Sequence, residues 1–266
     1  MQQALQLDGY DPDQHSDAAV AFRIRVGESE QEIPFHHHRK GQLILALHGG
    51  VACEVEQGVW MVPPQYAVWL PGGLAHSNRA TANAQLCFLF IEPDAVSLPA
   101  RCCTLKISPL VRELILTLAQ RQTARADADE TARLVQVLFD ELPRQPEEQL
   151  QLPVSRHPKI RAIVDALAAH PDDRRTLAAW AAQFAMSERN LARLVVKETG
   201  LGFRRWRQQL QLIVALRLLI EGKAVQQVAH ALGYDSTTAF ITMFKKAMGQ
   251  TPGRYLRAPD MPFFSS

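Results

Sequence analysis

Residues 177–200, LAAWAAQFAMSERNLARLVVKETG, and residues 225–249, VQQVAHALGYDSTTAFITMFKKAMG, are two versions of one pattern. In the first, Leu177, Trp180, Ala181 and Phe184 recur at helical spacing and make one apolar face. Ala185 and Met186 turn the chain, Ser187 offers a hydroxyl to cap the next helix, Leu191, Leu194 and Val195 face inward, and Gly200 ends the helix. In the second, Val225, Val228, Ala229 and Leu232 make the matching face, followed by a Gly233-Tyr234-Asp235 turn. Ser236 stands at the cap, Phe240, Met243 and Phe244 face inward, and Gly249 closes the helix. From the two serines onward the offset is a constant 49 residues. A short helix, a tight turn and a second helix make a helix-turn-helix unit. Its second helix fits the major groove of DNA, about 12 Å wide. Between the units, Arg204 to Glu221 reads as one long helix with Trp206, Leu210, Val214 and Leu218 on its apolar side. At 1.5 Å per residue it spans about 27 Å, near the roughly 34 Å of one duplex turn. One monomer can therefore place two helices in successive major grooves.

Charge supports a polyanionic partner. The 266 residues carry a net charge of +2, but residues 1–154 hold 12 Lys and Arg against 19 Asp and Glu, whereas residues 155–266 hold 17 against 8. The back part is thus +9 and the front part −7, as expected when the two have separate tasks and the basic one meets nucleic acid. No apolar run reaches the roughly 18–20 residues of a membrane span. Met1 to Tyr10 lacks the basic-then-apolar order of a secretory signal. Cys53, Cys87, Cys102 and Cys103 show no C-x-x-C spacing, so they read as reduced thiols in a cytoplasmic protein.

The helical wheel selects the residues that face DNA. With Leu191, Leu194 and Val195 inward, Arg189, Asn190, Arg193 and Lys197 lie outward, Arg189 and Arg193 on one stripe. Arginine can bond a guanine edge bidentately or hold a phosphate. In the second unit Thr237, Thr238, Ile241, Thr242 and Lys245 lie outward, a set suited to thymine methyls and few acceptors. The first unit is therefore expected to dominate base readout.

Gly233-Tyr234-Asp235-Ser236, Phe240, Phe244-Lys245-Lys246, Gly249, Thr251-Pro252 and Tyr255-Leu256-Arg257 together resemble the signature of the AraC/XylS family of bacterial transcription regulators, over about Lys159–Arg257. Two positions depart from it. Thr242 stands where most members carry arginine, which weakens any carried-over arginine contact, and Ala185 stands where many carry glycine.

To about Ala100, short runs rich in Val, Leu, Ile, Phe and Trp (Gln42–Leu47, Val51–Val55, Val59–Val62, Ala67–Leu70 and Leu86–Ile91) alternate with Gly49-Gly50, Pro63-Pro64 and Pro71-Gly72-Gly73. This predicts a β sandwich or barrel. His36, His38 and Gln42, followed by Pro71, Gly73 and His76, resemble the two cupin motifs, with Gln42 where cupins usually carry glutamate and Ala80 where they carry asparagine. Strand alternation puts His36 and His38 on one face. The resemblance implies an effector pocket with His36, His38, Gln42 and His76; Trp60 and Trp69 either help line it or serve, as single tryptophans more commonly do, as core packing. It leaves two readings open: a divalent transition metal held by His36, His38, Gln42 and His76, or a metal-free pocket that uses the same side chains as hydrogen-bonding groups.

The expected architecture is α+β and multidomain: a cupin-like sensor barrel over 1–105, a helical dimerisation segment over 106–143, a linker over 144–158, and an all-α DNA-binding domain with two helix-turn-helix units over 159–266. Pro109 opens one helix of the middle segment, with Leu110, Leu114 and Leu118 spaced by four; Leu134, Val137, Leu138 and Glu141 mark another. These stripes either pack on the barrel or meet their copy in a homodimer. The reading is a sequence-specific regulator, not an enzyme, that binds double-stranded DNA and a small-molecule effector, meets RNA polymerase if it activates, contacts no membrane, and controls a nearby transporter or enzyme gene. The front region, around PFHHHRKGQL, resembles a branch of the family that represses drug efflux. A cupin-type metalloenzyme and an effectorless nucleoid-binding protein are the alternatives. The DNA-binding domain argues against the first and a pocket against the second.

Overall fold

Alternating apolar runs that are each too short for a helix pair into strands, and here they do so across long stretches of chain. The computed structural model describes residues 11–14, 16–29, 31–56, 58–62, 66–123, 128–148, 151–153, 155 and 157–256. Met1–Tyr10, the Pro63-Pro64 turn, Val154 and Arg156 of the predicted linker, and Arg257 of the C-terminal signature lie outside the described residues. The chain divides into two units, Met1–Gln151 and Leu152–Ser266.

In chain order the strands of the front unit are β1 (Ala19–Arg25), β2 (Gln31–His36), β3 (Gly41–His48), β4 (Val51–Val55), β5 (Gly58–Val62), β6 (Tyr66–Leu70), β7 (His76–Ala80), β8 (Gln85–Ile91), β9 (Cys103–Lys106) and β10 (Glu147–Glu148). A further strand, Gln151–Pro153, spans the boundary between the units. One antiparallel sheet runs β1-β8-β3-β6-β9-β10, and the other contains β5-β4-β7-β2 in that order. The two sheets bury a shared layer that includes Ile44, Val51, Cys53, Trp60, Val68, Phe88 and Phe90.

The opposite face of the larger sheet is covered by two helices, α1 (Pro109–Thr123) and α2 (Ala128–Glu141). Their core takes Leu43, Leu45, Ala67, Leu89, Val111, Ile115 and Leu138. The leucine stripe mostly goes there too: Leu114 and Leu118 are buried in this core, while Leu110 stays 52% and Val137 44% exposed. Strand β6 is buried along its whole length, so burial does not mark its inner face. Trp69, expected in the pocket, points the other way, into the helix-side core, and its indole N–H donates to the Pro99 carbonyl at 2.8 Å. The stretch expected as a linker is partly built into the sheet: β10 pairs with β9, and Gln145 Oε1 accepts from the Ser108 N–H at 2.8 Å.

The back unit is helical: α3 (Pro158–Ala169), α4 (Leu177–Gln183), α5 (Glu188–Thr199), α6 (Phe203–Ile220), α7 (Val225–Ala231), α8 (Thr237–Met248) and α9 (Pro252–Leu256). Each expected cap is made. Ser187 Oγ accepts from the Asn190 N–H and Ser236 Oγ from the Ala239 N–H, both at 3.2 Å, and Gly200 and Gly249 end α5 and α8 in the left-handed region. The first unit closes over Ile160, Ile163, Trp180, Leu191, Val195 and Trp206. In the second, Phe244 is fully buried, with ring contacts to Phe240 at 5.8 Å and Tyr255 at 5.4 Å.

The two turns differ in a testable way. Gly233, in the second, has φ of +73° and its missing Cβ would meet the Asp172 backbone at 3.1 Å. Ala185, in the first, holds φ of +51° with a side chain present. A left-handed conformation costs an L residue about 1–2 kcal/mol, and a glycine loosens the unfolded chain by about 0.4–1 kcal/mol. Ala185→Gly should therefore stabilise the back unit by about 0.5–1 kcal/mol, and Gly233→Ala should destabilise it by about 2 kcal/mol. Urea unfolding of both variants checks this; equal shifts of the same sign would contradict it.

Candidate nucleic-acid interface and histidine site

Helix α5 presents Arg189, Asn190, Arg193 and Lys197 to solvent, and all four are exposed. Arg193 donates to Asn190 Oδ1 at 2.6 Å, which orients the guanidinium along the helix face. Among the residues expected on α8, Thr238, Thr242 and Lys245 are exposed, while Thr237 and Ile241 are half-buried. Thr242 Oγ1 donates to its own helix at the Thr238 carbonyl, 2.9 Å away. The Thr242 hydroxyl is thus taken up by its own helix, which leaves the exposed Lys245 as the charged donor of the expected α8 set. Val196, 50% exposed on α5, was missed by the wheel because it adjoins the inward Val195; an apolar side chain there suits a thymine methyl.

The two helix-turn-helix units are braced against each other. Arg174, just before α4, donates to the Gly233 carbonyl and to Asp235 Oδ1 at 2.7 Å in the turn of the second unit. Arg207, on α6, donates to the carbonyls of Asp173 and Arg175. Arg175 lies 3.6 Å over the Trp180 ring. The Arg174–Asp235 pair is exposed on both sides, so solvent screens it and it adds little to stability.

If Arg193 holds a base edge, Arg193→Ala weakens operator binding by about 1–3 kcal/mol and relaxes the preference at one base position. A gel-shift series over single-base operator variants reads this directly. An equal loss on every sequence would mark a phosphate contact, and unchanged binding would reject the assignment to this face.

In the front unit the pairing of β2 with β7 sets His36 opposite His76. His38 follows β2 and Gln42 rises from β3. A close backbone approach aligns them: a Cβ on Gly72 would fall 2.0 Å from the Arg39 carbonyl oxygen, and the Gly73 N–H donates to the His38 carbonyl at 2.7 Å. Only glycine at 72 permits this.

The ligand atoms of His36, His38 and His76 lie within 4.8 Å of one another. Each ring uses Nδ1 on a carbonyl: His36 on Pro34 at 2.9 Å, His38 on Lys40 at 2.6 Å and His76 on Leu74 at 2.8 Å. A carbonyl only accepts, so each Nδ1 carries the proton and each Nε2 keeps a lone pair. Burial above all favours the neutral rings of His38 and His76, and Coulombic repulsion among the clustered imidazoles works in the same direction. Together they push His38 below the usual imidazole value and His76 down to about 4. Gln42 Oε1 faces Nε2 of His76 at 3.0 Å and of His38 at 3.3 Å. Acceptors thus meet acceptors. A cation among them resolves this, and so does a turned Gln42 amide that donates its two N–H groups. Second-sphere carbonyls on every imidazole are what a metal-binding histidine set requires, so the residues fit such an ion. Trp60 is buried in the inter-sheet layer. Asn78, two residues beyond His76 on the same strand face, is 3% exposed, and its amide has no hydrogen-bond partner among the described residues. The sequence carried no signal for it beyond an amide in a strand.

Residues 180–258 match a family model described as a helix-turn-helix domain. The chain is 67% identical over 256 residues, 96% of its length and 94% of the other, to the HTH-type transcriptional regulator NimR of Escherichia coli (strain K12). The chain belongs to the AraC/XylS family. It stands in the NimR-like branch and is a DNA-binding transcriptional regulator. The HTH-type transcriptional regulator AlkR of Acinetobacter baylyi is 34% identical over 131 residues, covering 46% of this chain and 42% of AlkR. Among solved structures, ToxT of Vibrio cholerae aligns over 90% of this regulator and 97% of its own chain, at 11% identity and a TM-score of 0.39, too loosely to bear on the argument.

Proposed function

We propose that this regulator is effector-responsive: its front barrel senses a small molecule, and its back unit reads an operator next to a transporter or enzyme gene. The observation that carries the reading is the joining of two complete, mutually braced helix-turn-helix units to an acidic barrel with converging polar side chains in its interior. The proposed DNA contacts are Arg189, Asn190, Arg193 and Lys197 on α5 and Thr237, Thr238, Ile241, Thr242 and Lys245 on α8. The barrel carries no turnover in this reading; it transmits occupancy to DNA affinity from the cytoplasm. No helix among the described residues is long and apolar enough to cross a membrane. Leu110 and Val137, left exposed on the two helices over the barrel, support a homodimer through Pro109–Leu142, and an activating form would also touch RNA polymerase. Chromatin pull-down with sequencing tests the whole proposal. Enrichment should concentrate at discrete sites, one beside the regulator's own gene; even coverage of the chromosome would favour a nucleoid-binding protein.

A divalent transition ion would be held by Nε2 of His36, His38 and His76 with Gln42 Oε1, and would supply a Lewis-acidic point that orients an effector. Neutral Gln42 leaves more charge on the ion than glutamate would, which lowers affinity. Protein purified untagged and without chelator, then incubated with zinc or nickel and analysed for elements, should hold about one equivalent. His36→Ala with His76→Ala should hold none. Less than about a tenth of an equivalent in the unmodified protein would leave the turned-amide arrangement of Gln42 as the answer.

A further inference from the structure

Helix α6 links the two helix-turn-helix units in sequence, and past its end the chain turns through Gly222, at φ of +82°, into α7. A link of this kind sets how far apart the units stand. The rotation of the second unit about the joint at residues 221–224 has to be set by other contacts. Direct contacts between the units converge on residues 172–175, which lead into α4. In the turn of the second unit Gly233 lies so close to this segment that a Cβ on it would fall 3.1 Å from the Asp172 Cα. Arg174 Nη2 donates to the Gly233 carbonyl and to Asp235 Oδ1 in the same turn. From the other side the half-buried Arg207 of α6 donates Nη1 to the Arg175 carbonyl at 2.9 Å and Nη2 to the Asp173 carbonyl. The segment is also tied to the first unit, because Arg175 lies over the Trp180 ring and donates to Gln183 Oε1 at 2.7 Å, both on α4. The first unit, α6 and the turn of the second unit thus meet at one node.

The node acts on the end of the helix that matters for readout. Asp235 directly precedes Ser236, the cap of α8, so the bond from Arg174 holds α8 at its N-terminal end. The N-terminal residues of a recognition helix are the ones that contact base edges. We propose that Arg174 and Arg207 are positioning residues for operator recognition: together with the Gly233–Asp172 approach they set the pitch of α8 relative to α5, and so fix the number of base pairs between the two stretches of operator that one chain reads. The proposal rests on the grip through two units and is independent of any effector. Neither arginine has to touch DNA for this. One added base pair moves the second stretch by about 3.4 Å and turns it about 35° around the duplex, a shift that the node resists and the joint at Gly222 would otherwise follow.

The test uses the full chain and the DNA beside its own gene, with one or two base pairs added or removed between the two stretches it protects. Competition gel shifts give the ratio of affinities, native spacing over altered spacing. The unmodified chain should prefer the native spacing by at least about tenfold, because the altered one fits only if the duplex is over- or undertwisted. Arg174→Ala and Arg207→Ala should each lower that ratio about fivefold, the effect of losing one set of hydrogen bonds. A lost positive charge or a loosened fold weakens every spacing alike and leaves the ratio where it was, so the ratio separates positioning from a merely structural role. Arg174 is exposed, so Arg174→Ala keeps a urea midpoint close to that of the unmodified chain and carries the test even where Arg207→Ala does not fold. A ratio unchanged in Arg174→Ala would overturn the node and keep the grip through two units. An unmodified chain that binds every spacing alike would overturn both.

Discussion

Phe244→Ala should remove about 3–5 kcal/mol from the back unit, the cost of truncating a fully buried phenylalanine. Phe244 sits between Phe240 and Tyr255, and the three rings tie the recognition helix of the second unit to α9. A domain of this size is stable by only about 5–15 kcal/mol. The variant should therefore sit near its unfolding midpoint at 37 °C and shift operator DNA poorly. Urea unfolding of the fragment Leu152–Ser266 reads the loss. A change below about 1 kcal/mol would show that the second unit does not close around this ring.

The second large effect is that of salt on the same fragment. Its helices carry the basic surplus read from the sequence, +9 over residues 155–266, and phosphate contacts release counterions when they form. The fragment should bind duplex DNA without the barrel, and its affinity should fall about a thousandfold between 50 and 200 mM salt, as expected for about six phosphate contacts. A folded fragment that gives no shift on the DNA beside its own gene, or one whose affinity ignores salt, would contradict the assignment.

The back unit was legible because its rules are local. A serine before each recognition helix caps it three residues on, a glycine after each ends it, and the apolar stripe selects the buried face; none of this needs a distant partner. Family membership followed from the same residues. The histidine set was legible through its cupin-like spacing, although His36 ends β2 and His38 lies beyond it; the close approach of Gly72 and Gly73 is what brings them beside His76. What the sequence hid is non-local. Ala19 pairs with Ile91, and nothing near either residue says so. Trp69 was placed on the wrong side because β6 is apolar throughout, which erases the alternation that would reveal a face. Glu147 and Glu148 joined the sheet from a proline-rich stretch whose composition reads as a linker. Asn78 stood out only once its neighbours were known, since an orphaned polar group is a property of packing.

The central claim is that one chain grips DNA through two helix-turn-helix units spaced by α6. Hydroxyl-radical footprinting of the intact regulator on the DNA beside its own gene tests it most directly. Each bound chain should protect two patches on one face of the duplex, about 10 base pairs apart. Arg193→Ala should weaken the patch under α5 more than the patch under α8. One continuous patch per chain, or two patches on opposite faces, would contradict the account.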